Sequence, residues 1–134
     1  MLPDFWSSHI VEELKTRAIS LMDSYKPEES ESSVFSTVNQ KADDYFLSSA
    51  GEISFFLEEK ADKSKPMSLS INKIGHAMHD LDPVFRKHSR SERVATVLRD
   101  LGYRHPQPVQ SMYILKAPFI GGEVVPHQVR ERKL

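Results

Sequence analysis

Two histidines three residues apart, His76 and His79, are the first side chains in this sequence that could do chemistry, and Asp80 and Asp82 follow them closely. Residues at i and i+3 of a helix share a face, so both imidazoles on one helix could bind a single metal ion with a carboxylate as third ligand. The pattern has low specificity, because no Glu lies between the histidines and no second metal-binding motif follows. The alternative is that both rings only form hydrogen bonds near a helix end.

Other familiar reaction centres are missing from the sequence. There is no cysteine, which excludes disulfides, thiolate catalysis and Cys-ligated zinc. Gly51 and the Gly121-Gly122 pair do not belong to a phosphate-binding loop, since neither a G-x-G-x-x-G segment nor a P-loop lysine is present. No G-x-S-x-G elbow singles out a nucleophilic serine. Nucleotide binding and Ser-His-Asp catalysis therefore have no support.

Composition limits the partners. The chain has 134 residues, the length of one domain, with 18 basic and 19 acidic residues and no basic block. We therefore expect neither nucleic acid nor an anionic membrane as a partner. No apolar run reaches the roughly 18 residues of a membrane span, which predicts a soluble, cytoplasmic protein. The last three residues, Arg132-Lys133-Leu134, are similar to the peroxisomal Ser-Lys-Leu signal, so a peroxisomal location is the weaker alternative.

Helical periodicity is clearest near the start of the chain. Apolar residues recur there at three- and four-residue spacing, at Ile10, Leu14, Ala18, Leu21, Met22 and Tyr25. Ser7 or Ser8 can cap this helix, and Pro27 ends it. Further on, Pro83 is suited to the first position of a second helix. A third helix is predicted from a cap at Ser89 or Ser91 to Gly102.

The remaining apolar runs predict strands. Residues 44–47 and 53–58 flank a Gly-containing turn and suggest a hairpin. Residues 71–75 lead into the histidine pair. Residues 110–115 are predicted to form a strand. Polar and apolar residues do not alternate strictly in it, which is compatible with burial of both faces. After the Gly121-Gly122 turn, a short extended run is predicted, which ends at Pro126 and is followed directly by His127.

Six separated segments, in this order, resemble the phytanoyl-CoA dioxygenase family. They are DYFLSS at 44–49, ISFF at 53–56, SINKIGHAMH at 70–79, DPVF at 82–85, QSMYI at 110–114 and GGEVVPHQ at 121–128. The resemblance runs from about Phe5 to Gln128. It divides the chain into a partial family domain, 1–128, and a tail outside the family pattern, 129–134.

This resemblance implies a fold and a reaction. The family consists of Fe(II)- and 2-oxoglutarate-dependent dioxygenases on a double-stranded β-helix, or jelly roll. They decarboxylate 2-oxoglutarate and hydroxylate a small organic substrate. For this chain the resemblance implies an α+β fold, with an N-terminal helical portion and the first strands of an incomplete jelly roll.

The resemblance also assigns site residues. The family holds iron with a His-x-Asp pair and a distant His, and His127 takes the place of the first of these ligands. Met112 takes a place that lines the 2-oxoglutarate pocket, and Gln128 lies between the two ligands of the pair. In similar sequences we expect a cosubstrate-binding Lys where this chain has Leu69.

The sequence departs from the family at the iron site. Val129 stands where the Asp of the pair belongs, and the distant His and an Arg for the cosubstrate would lie beyond Leu134. With one ligand of three, the chain alone is expected to be inactive and to bind neither Fe(II) nor 2-oxoglutarate tightly. The alternative is a truncated isoform with a non-catalytic interaction or regulatory role, or an unstable product. A strand such as 110–115 would then expose an edge that pairs with another chain.

Overall fold

Helices and short strands are mixed along the chain. The computed structural model describes residues 2–26, 33–35, 44–59, 67–116 and 121. Its elements are α1 (Ser8–Ser24), β1 (Ser33–Phe35), α2 (Asp44–Ser48), a 3-10 turn (Ser49–Gly51), β2 (Ile53–Glu58), α3 (Met67–Ser70), β3 (Ile71–His76), α4 (Met78–Leu81), α5 (Pro83–Ser89), α6 (Glu92–Asp100) and β4 (Ser111–Ile114). The predicted α+β class is confirmed. None of the described helices is long and apolar enough to cross a membrane.

The strands form one sheet in the order β1-β2-β3-β4. β1 runs parallel to β2, whereas β2, β3 and β4 are antiparallel to their neighbours. β3 is buried at all six positions, because it has a strand on each side and is covered on both faces. Burial in β2 alternates residue by residue, because successive side chains of a strand point to opposite faces, and the face of Phe56 is more completely buried than the face of Phe55.

The apolar stripe of α1 packs against one face of this sheet. The ring of Tyr25, just after α1, stacks on Phe55 of β2 with 4.4 Å between centroids. The buried cluster consists of Met22, Tyr25, Ile71, Ile74 and Met78. Full burial of a side chain of this size stabilises the fold by about 1.5–3 kcal/mol. The stripe predicted for the first helix is therefore a packing surface.

The helix ends follow their local sequence signals. The Ser7 hydroxyl accepts a hydrogen bond from the Ile10 amide at 3.4 Å, and the Ser91 hydroxyl accepts one from Val94 at 3.5 Å. Pro83 is the first residue of α5, as predicted. Gly102 follows α6 with φ +89°, a left-handed conformation that glycine adopts without strain. The sequence thus determines where these helices begin and end.

The predicted hairpin is wrong in its first half. Residues 53–58 form β2, but Asp44–Ser48 form the short helix α2. The reason is the Tyr45 hydroxyl, which donates to the Phe55 carbonyl at 3.2 Å and accepts from the Phe55 amide at 3.1 Å. One side chain thus satisfies both backbone groups of Phe55 that a paired strand would have bonded. β2 finds its antiparallel partner in β3 instead.

Candidate functional site

Met112 is the one residue of the predicted cosubstrate site that the structure describes. It lies in β4 opposite Gly75 of β3, and its side chain is 47% exposed. A Cβ at position 75 would approach Met112 Cγ to 3.3 Å and the Ser111 carbonyl oxygen to 3.2 Å. The glycine therefore leaves room for the thioether. His127, Gln128 and Val129 lie outside the described residues, as does the short run that leads to them.

The hypothesis of a metal site needs His76 and His79 on one helix face, and the structure does not place them so. His76 is the last residue of β3, whereas His79 lies in α4. The two rings have different partners, since His76 Nδ1 lies 2.8 Å from Ser49 Oγ and His79 Nδ1 lies 3.0 Å from Ser111 Oγ. Within the ranges that the structure describes, no three His, Asp or Glu side chains are grouped closely enough to hold a metal ion.

His79 joins β4 to the rest of the fold through Ser111. The Ser111 hydroxyl donates to the His76 carbonyl at 3.3 Å and accepts from the His79 amide at 3.1 Å. On the other side of the ring, His79 Nε2 lies 3.4 Å from the Asp80 carboxylate. A serine, a histidine and an aspartate are thus neighbours, and the serine hydroxyl also contacts two backbone groups, the His76 carbonyl and the His79 amide. The arrangement joins β4 to the end of β3 and the start of α4.

His76 has a defined tautomer. The Ser49 hydroxyl donates to the Phe46 carbonyl at 2.6 Å, so it can only accept from His76 Nδ1, which must carry a proton. In the neutral ring Nε2 is then the unprotonated nitrogen, and it is buried with no hydrogen-bond partner among the described residues. Burial lowers the pKa of His76, and the charge of Lys73 lowers it further. The ring is therefore held neutral.

We expect the stability of this protein to fall as the pH drops below about 6.5, with His76 as one cause. Its pKa is lower in the folded state than the ordinary 6.5, so the unfolded chain binds more protons in that range. The stability linked to the neutral His76 ring is fully present above pH 6.5 and is lost as the pH falls towards the pKa of His76 in the folded state. Urea unfolding at several pH values measures this change in the free energy of unfolding. His76→Asn, whose amide can still donate to Ser49, should flatten the dependence, and an unchanged slope would contradict the assignment.

Lys73 belongs to the same sheet face as Met112. Paired residues of antiparallel strands point to the same side, and the register pairs Lys73 with Ile114 and Gly75 with Met112. The Lys73 ammonium lies 4.9 Å and 4.7 Å from the ring centroids of Phe46 and Phe56. Its burial lowers its pKa. We call this surface, opposite the α1 side, the Met112 face. The sequence predicted no role for Lys73, since only the sheet register shows its neighbours.

Comparison with known proteins agrees with this description. A family model described as Phytanoyl-CoA dioxygenase (PhyH) matches residues 1–131. A protein named phytanoyl-CoA dioxygenase from Arabidopsis thaliana is 47% identical over 135 residues, which is 96% of this chain and 47% of that protein. Phytanoyl-CoA dioxygenase 1 from rice, Oryza sativa subsp. japonica, is 44% identical over the same shares of each chain.

An animal relative matches a shorter region at higher identity. Phytanoyl-CoA dioxygenase domain-containing protein 1 from Mus musculus is 53% identical over 90 residues, which is 63% of this chain and 31% of the mouse protein. The chain spans about half the length of the plant relatives. The resemblance drawn from the six sequence segments is confirmed, and the chain belongs to the phytanoyl-CoA dioxygenase family.

Proposed function

We propose that this chain carries the first half of the site of an Fe(II)- and 2-oxoglutarate-dependent dioxygenase, and that it is catalytically inactive on its own. The observation that supports the proposal is the family match over residues 1–131. Within that range we take His127 as the first iron ligand, and Val129, two residues later, stands where the second would be needed. The relatives' names state a dioxygenase reaction. The substrate is a small organic molecule.

The residues present do not fit a tight iron site. A facial triad needs two imidazoles and one carboxylate. His127 supplies one imidazole, the isopropyl group of Val129 has no donor atom, and Glu131 is four residues from His127 where the motif requires two. Fe(II) would therefore gain a single protein ligand from this segment.

Met112, His127 and Gln128 are the proposed cosubstrate-binding residues. Met112 is half exposed on the Met112 face and has the Gly75 backbone beside it, so a small molecule can reach its thioether. Lys73, two residues before Gly75 in β3, lies on the same face, but it is buried with its ammonium against the rings of Phe46 and Phe56, so it is not among the proposed contacts.

The proposed architecture is the first part of a jelly roll. That fold needs about eight strands in two packed sheets. The described residues supply four strands in one sheet, β1 to β4, with α1 on one face. We assign residues 1–128 to this partial domain and residues 129–134 to a tail, of which the family match covers the first three residues.

Anaerobic titration with Fe(II) and 2-oxoglutarate tests the proposal. We expect no metal-to-ligand charge-transfer band from the unchanged chain at equimolar iron. Val129→Asp supplies the second ligand and should raise the affinity for a divalent metal at least about tenfold, a difference of about 1.4 kcal/mol. Titration of this variant with Co(II), followed by its visible absorption, measures the gain.

Two further variants make the result specific. Val125→Asp puts a carboxylate two residues before His127 instead of two after it and should give no gain. His127→Ala in the Val129→Asp chain should remove the gain. A charge-transfer band from the unchanged chain that His127→Ala abolishes would contradict the proposal, because the site would then be complete.

A further inference from the structure

The folded sheet presents the thioether of Met112 to solvent. Met112 lies within β4, where it pairs with Gly75 of β3, and it is 47% exposed. Side chains on a strand stand roughly perpendicular to the sheet, so the sulfur lies on the Met112 face. No Cβ covers it from position 75, where such an atom would approach Met112 Cγ to 3.3 Å. A small oxidant in solution can therefore reach the sulfur of the folded chain.

Two other methionines have the same chemistry in the opposite environment. Met22 is 3% exposed and Met78 is 1% exposed, and both belong to the buried cluster between α1 and the sheet. An oxidant reaches such a sulfur only when the fold opens locally. These two residues therefore serve as internal controls for the reactivity of Met112.

A thioether reacts with a peroxide without any catalyst. The sulfur lone pair attacks one oxygen of hydrogen peroxide, an S–O bond forms and the O–O bond breaks. The departing hydroxide takes the proton of the new S–OH group and leaves as water. The thioether is thus oxidised by two electrons to a sulfoxide, and the peroxide is reduced by the same two electrons to water.

We propose that Met112 is a site of reversible oxidation, which a peroxide converts to methionine sulfoxide in the folded protein. The sulfoxide oxygen is a hydrogen-bond acceptor, and water can solvate it on the exposed Met112 face, so the fold is retained. The same oxygen on Met22 or Met78 would be buried without a donor, which is costly. Met112 is also a proposed cosubstrate-binding residue. The effect of its oxidation on that site, unlike the oxidation itself, rests on the proposed function.

Peptide mapping by mass spectrometry after timed exposure to hydrogen peroxide tests the proposal. Trypsin places each of the five methionines on a separate peptide, so their rates are measured independently. We expect Met112 in the folded chain to react at least about tenfold faster than Met22 and Met78. In concentrated urea the three rates should converge, because unfolding exposes all three sulfurs.

Reversal and stability are measured on the oxidised chain. Methionine sulfoxide reductases of both stereochemical types should restore the Met112 thioether, because they can reach it. The midpoint of urea unfolding should be the same before and after oxidation of Met112. Leu47→Met is the matched control for exposure, because Leu47 is 62% exposed on α2 and lies on a tryptic peptide without another methionine. The introduced methionine should react at a rate similar to that of Met112.

Four results would overturn the proposal. They are a Met112 rate equal to those of Met22 and Met78, a Met112 rate at least about tenfold below that of the methionine in Leu47→Met, a sulfoxide that the reductases do not remove, and a lower unfolding midpoint after oxidation. The reaction needs neither iron nor 2-oxoglutarate. The metal affinity of Val129→Asp therefore tests the proposed function separately, and either proposal can fail while the other stands.

Discussion

Replacing Phe56 with alanine should lower the free energy of unfolding by about 3–5 kcal/mol, the usual loss for a buried phenylalanine. Phe56 is 1% exposed and lies in an aromatic cluster, with centroid distances of 5.3 Å to His76, 5.4 Å to Tyr45 and 5.8 Å to Phe46. The Lys73 ammonium lies above the same ring. Truncation therefore leaves a cavity and also removes a ring that stabilises a buried cation.

Urea unfolding followed by circular dichroism measures this loss. Leu47→Ala is a suitable control, because Leu47 is 62% exposed on α2 and should change the stability by less than about 0.5 kcal/mol. If Phe56→Ala does not fold, Phe56→Leu keeps most of the volume and should cost about 1–1.5 kcal/mol. A loss for Phe56→Ala equal to that of Leu47→Ala would show that the cluster does not support the fold.

Replacing Asp82 with alanine should destabilise the fold by about 2–4 kcal/mol, because two interactions are lost together. The fully buried carboxylate caps α5 by accepting from the Val84 amide at 3.0 Å and the Phe85 amide at 3.1 Å. Its other oxygen accepts from Arg17 Nε of α1 at 2.6 Å. The Arg17 side chain is 34% exposed, so it regains water when its partner is removed, which limits the loss.

Asp80→Ala is the matched control for this effect. Asp80 is two residues away and also pairs with an arginine, Arg90, but both side chains are more than 40% exposed. An exposed pair of this kind contributes about 0–1 kcal/mol. Asp82→Asn keeps an acceptor for the cap and removes the charge, so its loss should lie between the two. Equal losses for Asp80→Ala and Asp82→Ala would contradict the importance of burial.

The helices show how much of the fold is encoded locally. The 3.6-residue stripe of α1, the hydroxyl caps Ser7 and Ser91, and Pro83 at the start of α5 act within a few residues, so the sequence predicts these helices well. The aromatic run at 44–47 was predicted as a strand but forms the helix α2, where the Tyr45 hydroxyl donates to the Phe55 carbonyl ten residues away. Strand propensity could not reveal that contact.

The candidate site also combines features that short motifs predict with features that depend on contacts between distant residues. The sequence predicted the family and, through it, Met112 and His127, because these assignments depend on short motifs in a fixed order. It could not predict the neutral tautomer of His76, which depends on Ser49, or the Ser111 contacts that hold β4 beside β3. Those partners are between 27 and 35 residues apart in the sequence, and only the sheet register brings them together.

The sequence by itself therefore predicted the family and the beginnings of α1, α5 and α6, since each depends on residue type and local spacing. Only the tertiary structure decided that His76 and His79 lie on different elements, that Arg17 and Asp82 pair across 65 residues, and that Met112 and Ile114 face outward beside buried Lys73. The physical reason is that burial and hydrogen bonding between distant residues depend on which elements pack together, and no local pattern records that choice.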